Sequence, residues 1–137
     1  MPERSIFQPI PPNGVCQIYE LLLSEGLISF ALTPSAREKV EGIVANITGT
    51  YFEHEMYSSP EEKAVAYLYF IIKDHPFTDG NKRTASLVFM VACSLNELSP
   101  NFGGENPTLD ELAVFVEKIQ TDDHQKVIRT IGNLLFG

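Results

Sequence analysis

Seven polar or charged side chains lie within residues 74–83, just past the middle of the 137-residue chain: Asp74, His75, Thr78, Asp79, Asn81, Lys82 and Arg83. Strongly apolar sequence on both sides indicates that this segment joins two buried helices. Because buried polar groups cost free energy unless they are paired, the segment should be held by hydrogen bonds or face a cleft. A simple turn needs neither a histidine nor two adjacent cations, so the cluster indicates a site for chemistry.

The second half of this segment suits a phosphorylated ligand. Gly80 and Asn81 allow a tight turn into the next helix, whose first turn offers unpaired N–H groups and the positive end of the helix dipole. Lys82 and Arg83 lie in the same turn. Arginine can hold phosphate oxygens with two hydrogen bonds, while lysine acts as a point charge.

The remaining residues could carry the reaction itself. His75 can take a proton from an incoming hydroxyl near neutral pH. Asp79 offers a hard oxygen ligand that could hold Mg²⁺ against the same phosphates. Phe77 is apolar among polar neighbours and should anchor the loop in the core. Each of these residues alone is more often structural, but their clustering favours a functional site.

Helix start and stop signals recur along the rest of the chain. They predict helices over residues 15–25, 34–47, 60–73, 82–96 and 109–119, and a last helix from a first turn with Asp122 and Asp123 to Leu135. No strand pattern alternates with them, which argues against a parallel α/β sheet. We predict an all-α helical bundle, with an irregular proline-rich arm at 1–12 and a single domain at 13–137.

Residues 50–58 differ from this pattern. Thr50, Tyr51, Phe52 and Tyr57 are β-forming residues that follow Gly49. They predict a short extended or hairpin segment.

Composition narrows the class of protein. The formal net charge of −8 and the pI near 4.8 argue against a nucleic-acid binder, which needs a broad basic face. No apolar run approaches the roughly 20 residues that span a bilayer, and the N-terminus has no signal-peptide pattern. Cys16 and Cys93 lack metal-ligand spacing and predict buried thiols in a reducing, cytoplasmic compartment. A zinc site is only a weak alternative, because His54, His75 and His124 are scattered and show no ligand spacing.

The central segment resembles the Fic/Doc motif, His-x-Phe-x-Asp/Glu-Gly-Asn-x-Arg-x-x-Arg. Six motif positions match: His75, Phe77, Asp79, Gly80, Asn81 and Arg83. The resemblance covers roughly the middle third of the chain, and the motif is long and specific. It implies the all-helical Fic fold and an ATP- and Mg²⁺-dependent enzyme that transfers part of the nucleotide to a hydroxyl of a target protein.

The same resemblance implies roles for individual residues. His75 would be the catalytic base and Asp79 the Mg²⁺ ligand. The residues expected at the nucleotide are Phe77, Gly80, Asn81, Lys82 and Arg83. The family has a hairpin flap that pairs with the target by strand addition, and residues 50–58 stand where that flap would be. The predicted flap residues are Thr50, Tyr51, Phe52 and Tyr57.

Two departures from the motif of the AMP-transferring members bear on the reaction. Ser86 replaces the second arginine, and Lys82 stands where glycine is usual. Both features are similar to Doc, a toxin that phosphorylates an elongation factor, although Doc has alanine at the position of Gly80. The resemblance therefore favours phosphoryl transfer, with a translation factor as a candidate target. Protein adenylylation by the same loop is the first alternative, and a catalytically silent domain that binds a nucleotide or partner is the second.

Regulation is also suggested by the resemblance. Many family members silence themselves with a helix that carries Ser/Thr-x-x-x-Glu-Gly/Asn. Arg37, Glu41 and Gly42 keep the glutamate and glycine but lack the hydroxyl. Self-inhibition by Glu41 is thus a weak hypothesis, and control by a separate antitoxin peptide is the favoured one.

Overall fold

The helices begin where their capping residues stand. The computed structural model describes residues 6–51 and 54–137, and in this part of the chain it has six helices. They are α1 (Pro12–Ser24), α2 (Pro34–Thr48), α3 (Pro60–Asp74), α4 (Asn81–Leu95), α5 (Leu109–Lys118) and α6 (His124–Phe136). The Thr33 hydroxyl accepts from the Ala36 N–H, and the Ser59 hydroxyl accepts from the Glu62 N–H, at 3.0 Å each. Proline follows both caps at the first helical position.

Three helix starts differ from the sequence prediction. α4 begins at Asn81, one residue before the predicted start at residue 82. α1 begins at Pro12, because proline at the first helical position needs no N–H partner. The predicted arm therefore ends one residue earlier than expected. α6 begins at His124, after Asp123 accepts a hydrogen bond from the Lys126 N–H at 3.1 Å. Asp122 and Asp123 thus precede the last helix and do not form its first turn.

α3 lies at the centre of the bundle. It packs against α4 most extensively and also against α2, α5 and α6. Residues 63–70 are all buried, as expected for a helix that is apolar almost all round. The all-α fold class predicted from the sequence is confirmed, and the site-bearing loop joins the two central helices, α3 and α4.

Both cysteines are free and buried. Burial raises the pKa of Cys93 to about 12, so its thiol is not a nucleophile near neutral pH. Among the helices of the described ranges, none has the length and apolarity needed to cross a membrane.

A short hairpin stands between α2 and α3. Strands β1 (Thr50–Tyr51) and β2 (His54–Glu55) pair antiparallel, with Thr50 opposite Glu55 and Tyr51 opposite His54. Phe52, predicted for the flap, lies outside the described residues. Tyr57 lies beyond β2 and is only 2 % exposed, packed edge-on against Phe70. Its ring therefore belongs to the core and not to an exposed flap edge.

A buried lysine connects this hairpin to α3. Lys63 is buried, and its Nζ donates to the Tyr57 carbonyl and to Glu55 Oε1, the latter at 3.1 Å. Glu55 lies in β2, so Lys63 fixes both the strand and the segment that follows it.

Replacing Lys63 should therefore loosen the hairpin. Lys63→Met keeps the apolar stem but leaves the Tyr57 carbonyl without its buried donor, which should lower the free energy of unfolding by about 1–3 kcal/mol. Hydrogen exchange at residues 54–57 should accelerate. Lys39→Met, at an exposed position of α2, should change neither measurement. Unchanged exchange in Lys63→Met would show that the lysine does not hold the hairpin.

Candidate active site

The central loop is bounded by two left-handed residues. His75 follows the last residue of α3 with φ 52° and ψ 54°, and Gly80 precedes α4 with φ 75° and ψ 20°. A Cβ atom on Gly80 would approach Ile28 Cδ1 to 2.6 Å. The left-handed backbone conformation and the close side chain of Ile28 both favour glycine at this turn.

The Asn81 side chain holds the loop together. It is 4 % exposed. Its Oδ1 accepts from the Phe77 N–H at 3.0 Å, and its Nδ2 donates to the Phe77 carbonyl at 2.9 Å and to His75 Nδ1 at 3.1 Å. Because these three hydrogen bonds occupy the side chain, Asn81 would contact a phosphate through its backbone N–H, which lies in the first turn of α4.

Phe77 anchors the loop in the core, as the sequence indicates. Its ring is 3 % exposed and stacks on Tyr19 of α1, with ring centroids 4.2 Å apart and an interplanar angle of 16°. The side chain is not part of the cleft wall. Phe77 is predicted to lie at the nucleotide. Because its side chain does not reach the cleft, it can affect the site only by positioning the loop.

A cleft of about 360 Å³ opens at the loop. Six of the predicted site residues line it: His75, Asp79, Gly80, Asn81, Lys82 and Arg83. Leu27, Ile72, Thr78 and Glu117 complete the walls. The cleft therefore brings together the histidine, the carboxylate and the N-terminus of α4.

Glu117 is a wall residue that the sequence did not reveal. Its Oε2 lies 2.7 Å from Lys82 Nζ, and this hydrogen bond lowers the pKa of the Glu117 carboxyl. The two residues are 35 positions apart, on α5 and α4, so no local pattern signals the contact. The second cation is also engaged, because Arg83 Nη1 donates to the Leu27 carbonyl at 2.8 Å.

His124 has a hydrogen-bond partner of its own. His124 Nδ1 lies 2.6 Å from the Tyr69 hydroxyl at the start of α6. His54 lies in β2. Among the side chains that the structure describes, a set that does not include His54, no three His, Cys, Asp or Glu residues come together as a candidate metal cluster.

Glu41 does not contribute to this cleft. It is exposed on α2, and it is not among the wall residues of the cleft. Nothing in its placement supports the self-inhibition hypothesis.

Comparison with known proteins gives one match. The Fic/DOC family model matches residues 9–93, which is more than half of the chain and includes α1 to α3, the entire loop and all but the last two residues of α4. A Fic-type transferase domain is thus the class that fold and loop define, and the protein belongs to the Fic/DOC family. No curated protein and no solved structure gives a match. The helix that carries Glu117 lies beyond the matched residues.

Removing the Asn81 side chain should test its role in the loop. Asn81→Ala leaves the Phe77 N–H and carbonyl without their buried partner, which should lower the free energy of unfolding by about 2–4 kcal/mol. Urea denaturation measures this change. Thr78→Ala, at an exposed wall position of the same loop, should change the free energy by less than about 0.5 kcal/mol. Equal effects in the two variants would contradict the role assigned to Asn81.

Proposed function

We propose that the protein transfers the γ-phosphoryl group of ATP to a hydroxyl of a target protein. The observation that carries this proposal is the single cleft lined both by His75 and by the N-terminus of α4 with Lys82 and Arg83. A base beside a phosphate-binding helix terminus is what hydroxyl phosphorylation requires. A module that only bound a nucleotide would have no need for the histidine.

The phosphates would be held by the first turn of α4. Its N–H groups lack intrahelical partners and carry the positive end of the dipole. Lys82 and Arg83 would turn from Glu117 and from the Leu27 carbonyl towards the phosphate oxygens. Arginine suits two oxygens at once, and lysine adds a point charge.

Asp79 fits a role as Mg²⁺ ligand. Its carboxylate is exposed at the wall of the cleft, and Mg²⁺ at nucleotides is usually held by one or two carboxylates together with phosphates and water. A single aspartate is therefore compatible with the ion. When bound, Mg²⁺ would neutralise charge that develops on the transferred group.

His75 would take the proton of the attacking hydroxyl. The hydroxyl oxygen forms a bond to the γ-phosphorus while the bond from that phosphorus to the β–γ bridging oxygen breaks, and ADP leaves with the electron pair. With Asn81 donating to Nδ1, the neutral ring carries its proton on Nε2. Nε2 can accept the proton of the hydroxyl only after the ring has moved its own proton to Nδ1, and this change also breaks the hydrogen bond that Asn81 donates to Nδ1.

The preference for γ-phosphoryl over AMP transfer rests on Lys82 and Ser86. Serine at position 86 removes the arginine that anchors the γ-phosphate in AMP-transferring members. The added cation at Lys82 lies in the first turn of α4. Because phosphoryl transfer depends mostly on positioning and charge stabilisation, the orientation of ATP alone can select the product. Adenylylation by the same cleft is the alternative.

The biological setting follows from the resemblance to Doc. We propose a toxin that is neutralised by an antitoxin peptide and modifies a target such as a translation factor in the cytoplasm. The hairpin formed by β1 and β2 would hold the target segment by strand addition, which tolerates sequence variation. The buried free thiols Cys16 and Cys93 suit a reducing compartment.

Transfer labelling tests the reaction. The purified protein, Mg²⁺ and a cell lysate would be incubated with ATP labelled at the α- or the γ-phosphate, beside a His75→Ala control. Label from the γ-position in one His75-dependent protein band is expected. Transfer of label from the α-phosphate would show that the reaction is adenylylation and not phosphorylation. If the protein is folded and neither label is transferred, a silent binding domain would be favoured.

Glu117 gives a second test, because its carboxylate competes with phosphate for Lys82. Glu117→Gln should lower the dissociation constant of Mg²⁺–ATP by about two- to five-fold, a modest change typical of an exposed ion pair. Calorimetric titration measures it. Glu38→Gln, an exposed carboxylate on α2 outside the cleft, should leave the constant unchanged. Weaker ATP binding in Glu117→Gln would mean that the carboxylate assists the nucleotide.

A further inference from the structure

The segment that joins α1 to α2 forms one side of the active-site cleft. We call residues 27–32 the strap; they contain neither helix nor strand, and Leu27 lines the cleft. Among the hydrogen bonds between described residues, none is donated by a backbone N–H of residues 28–32. Because so few backbone hydrogen bonds fix it, the strap depends on side chains for its position.

Three side chains hold the strap. Arg83 Nη1 donates to the Leu27 carbonyl at 2.8 Å, and the Tyr19 hydroxyl donates to the Phe30 carbonyl. The side chain of Ile28 is 3 % exposed and anchors the strap in the core. The bond from Tyr19 is partly buried, whereas the bond from Arg83 is exposed. The Arg83 contact is therefore the one that a ligand in the cleft can reach.

The strap also contacts the catalytic loop. Ile28 lies so close to Gly80 that a Cβ atom on the glycine would approach Ile28 Cδ1 to 2.6 Å. Gly80 directly precedes α4 and lines the cleft. A change in the position of the strap would therefore alter the packing at the helix terminus that is proposed to bind phosphate.

Lys82 and Arg83 differ in the element that each would release. Both line the cleft at the start of α4. Lys82 is bonded to Glu117 of α5, while Arg83 is bonded to the strap through the Leu27 carbonyl. Phosphate oxygens are charged and are stronger acceptors for a guanidinium than a neutral carbonyl is. A phosphate at this helix terminus should therefore draw Arg83 away from Leu27.

From these contacts we infer that Arg83 is a latch, which holds the strap in the free protein and releases it when phosphate binds. The inference rests on the proposed nucleotide site and adds a regulatory link to it. Loss of the exposed bond leaves the strap held by Tyr19 and Ile28. Since binding and release are linked, any change that withdraws Arg83 loosens the strap, with or without a ligand. Because Leu27 lines the cleft, a loosened strap also changes the cleft wall.

A single tryptophan can report on the strap, because the protein has none of its own. Phe30→Trp places the reporter at a half-exposed position of the strap, and Leu134→Trp on α6 is a control reporter of similar exposure. Quenching by acrylamide measures the accessibility of each indole. In the Phe30→Trp background, Arg83→Gln removes the latch. Lys82→Gln is the matched control, because it removes the neighbouring cation, which is bonded to Glu117 and not to the strap.

Without ligand, Arg83→Gln should raise the quenching constant at position 30 about two-fold, because one exposed hydrogen bond from a charged group no longer favours the closed strap. Lys82→Gln should leave the constant unchanged. With Arg83 intact, inorganic tripolyphosphate should raise it by a similar factor, and the Leu134→Trp reporter should not respond. No effect of Arg83→Gln, or an equal effect of Lys82→Gln, would overturn the latch.

Calorimetric titration of the same protein with tripolyphosphate separates this inference from the proposed function. Binding without a change in quenching would overturn the link to the strap and leave the phosphate site intact. If neither tripolyphosphate nor Mg²⁺–ATP binds, the proposed phosphate site fails, and the link between phosphate and strap fails with it.

Discussion

The loop between α3 and α4 depends on one buried amide. Asn81 is the first residue of α4, and its side chain holds both backbone polar groups of Phe77 and the ring of His75. The loop that carries the histidine and the helix terminus that would carry the phosphates are therefore a single unit. Because the two bonds to Phe77 are buried, the loop cannot rearrange there without leaving buried polar groups unpaired.

Two lysines of α3 hold neighbouring elements in place. Lys63, near the start of α3, holds the Tyr57 carbonyl and β2. Lys73, in the last turn of the same helix, donates to the Ile119 carbonyl at the end of α5. The second contact fixes the helix that presents Glu117 to the cleft. The central helix thus holds the hairpin, the helix that carries Glu117 and the loop that carries His75.

Local signals predicted what is determined locally. Thr33, Ser59 and Thr108 cap helices at the predicted starts because a cap depends on residues three positions away. Glycine at position 80 and the cluster from His75 to Arg83 identified the loop. Contacts between distant helices could not be read in this way. The sequence around Glu117 does not indicate its contact with Lys82. Tyr57 is predicted as a flap residue from its β-forming character, but its ring lies in the core.

The charges around the cleft determine which existing contacts a nucleotide would have to displace on binding. The protein carries a net charge of −8, yet the two cations of the cleft already have acceptors in Glu117 and the Leu27 carbonyl. Phosphate oxygens would therefore replace existing partners instead of meeting free charges. Such an exchange yields less free energy than binding to unpaired cations, because the displaced carboxylate must return to water alone. Selectivity for a nucleotide would then come from donors that Glu117 does not occupy, namely the N–H groups in the first turn of α4.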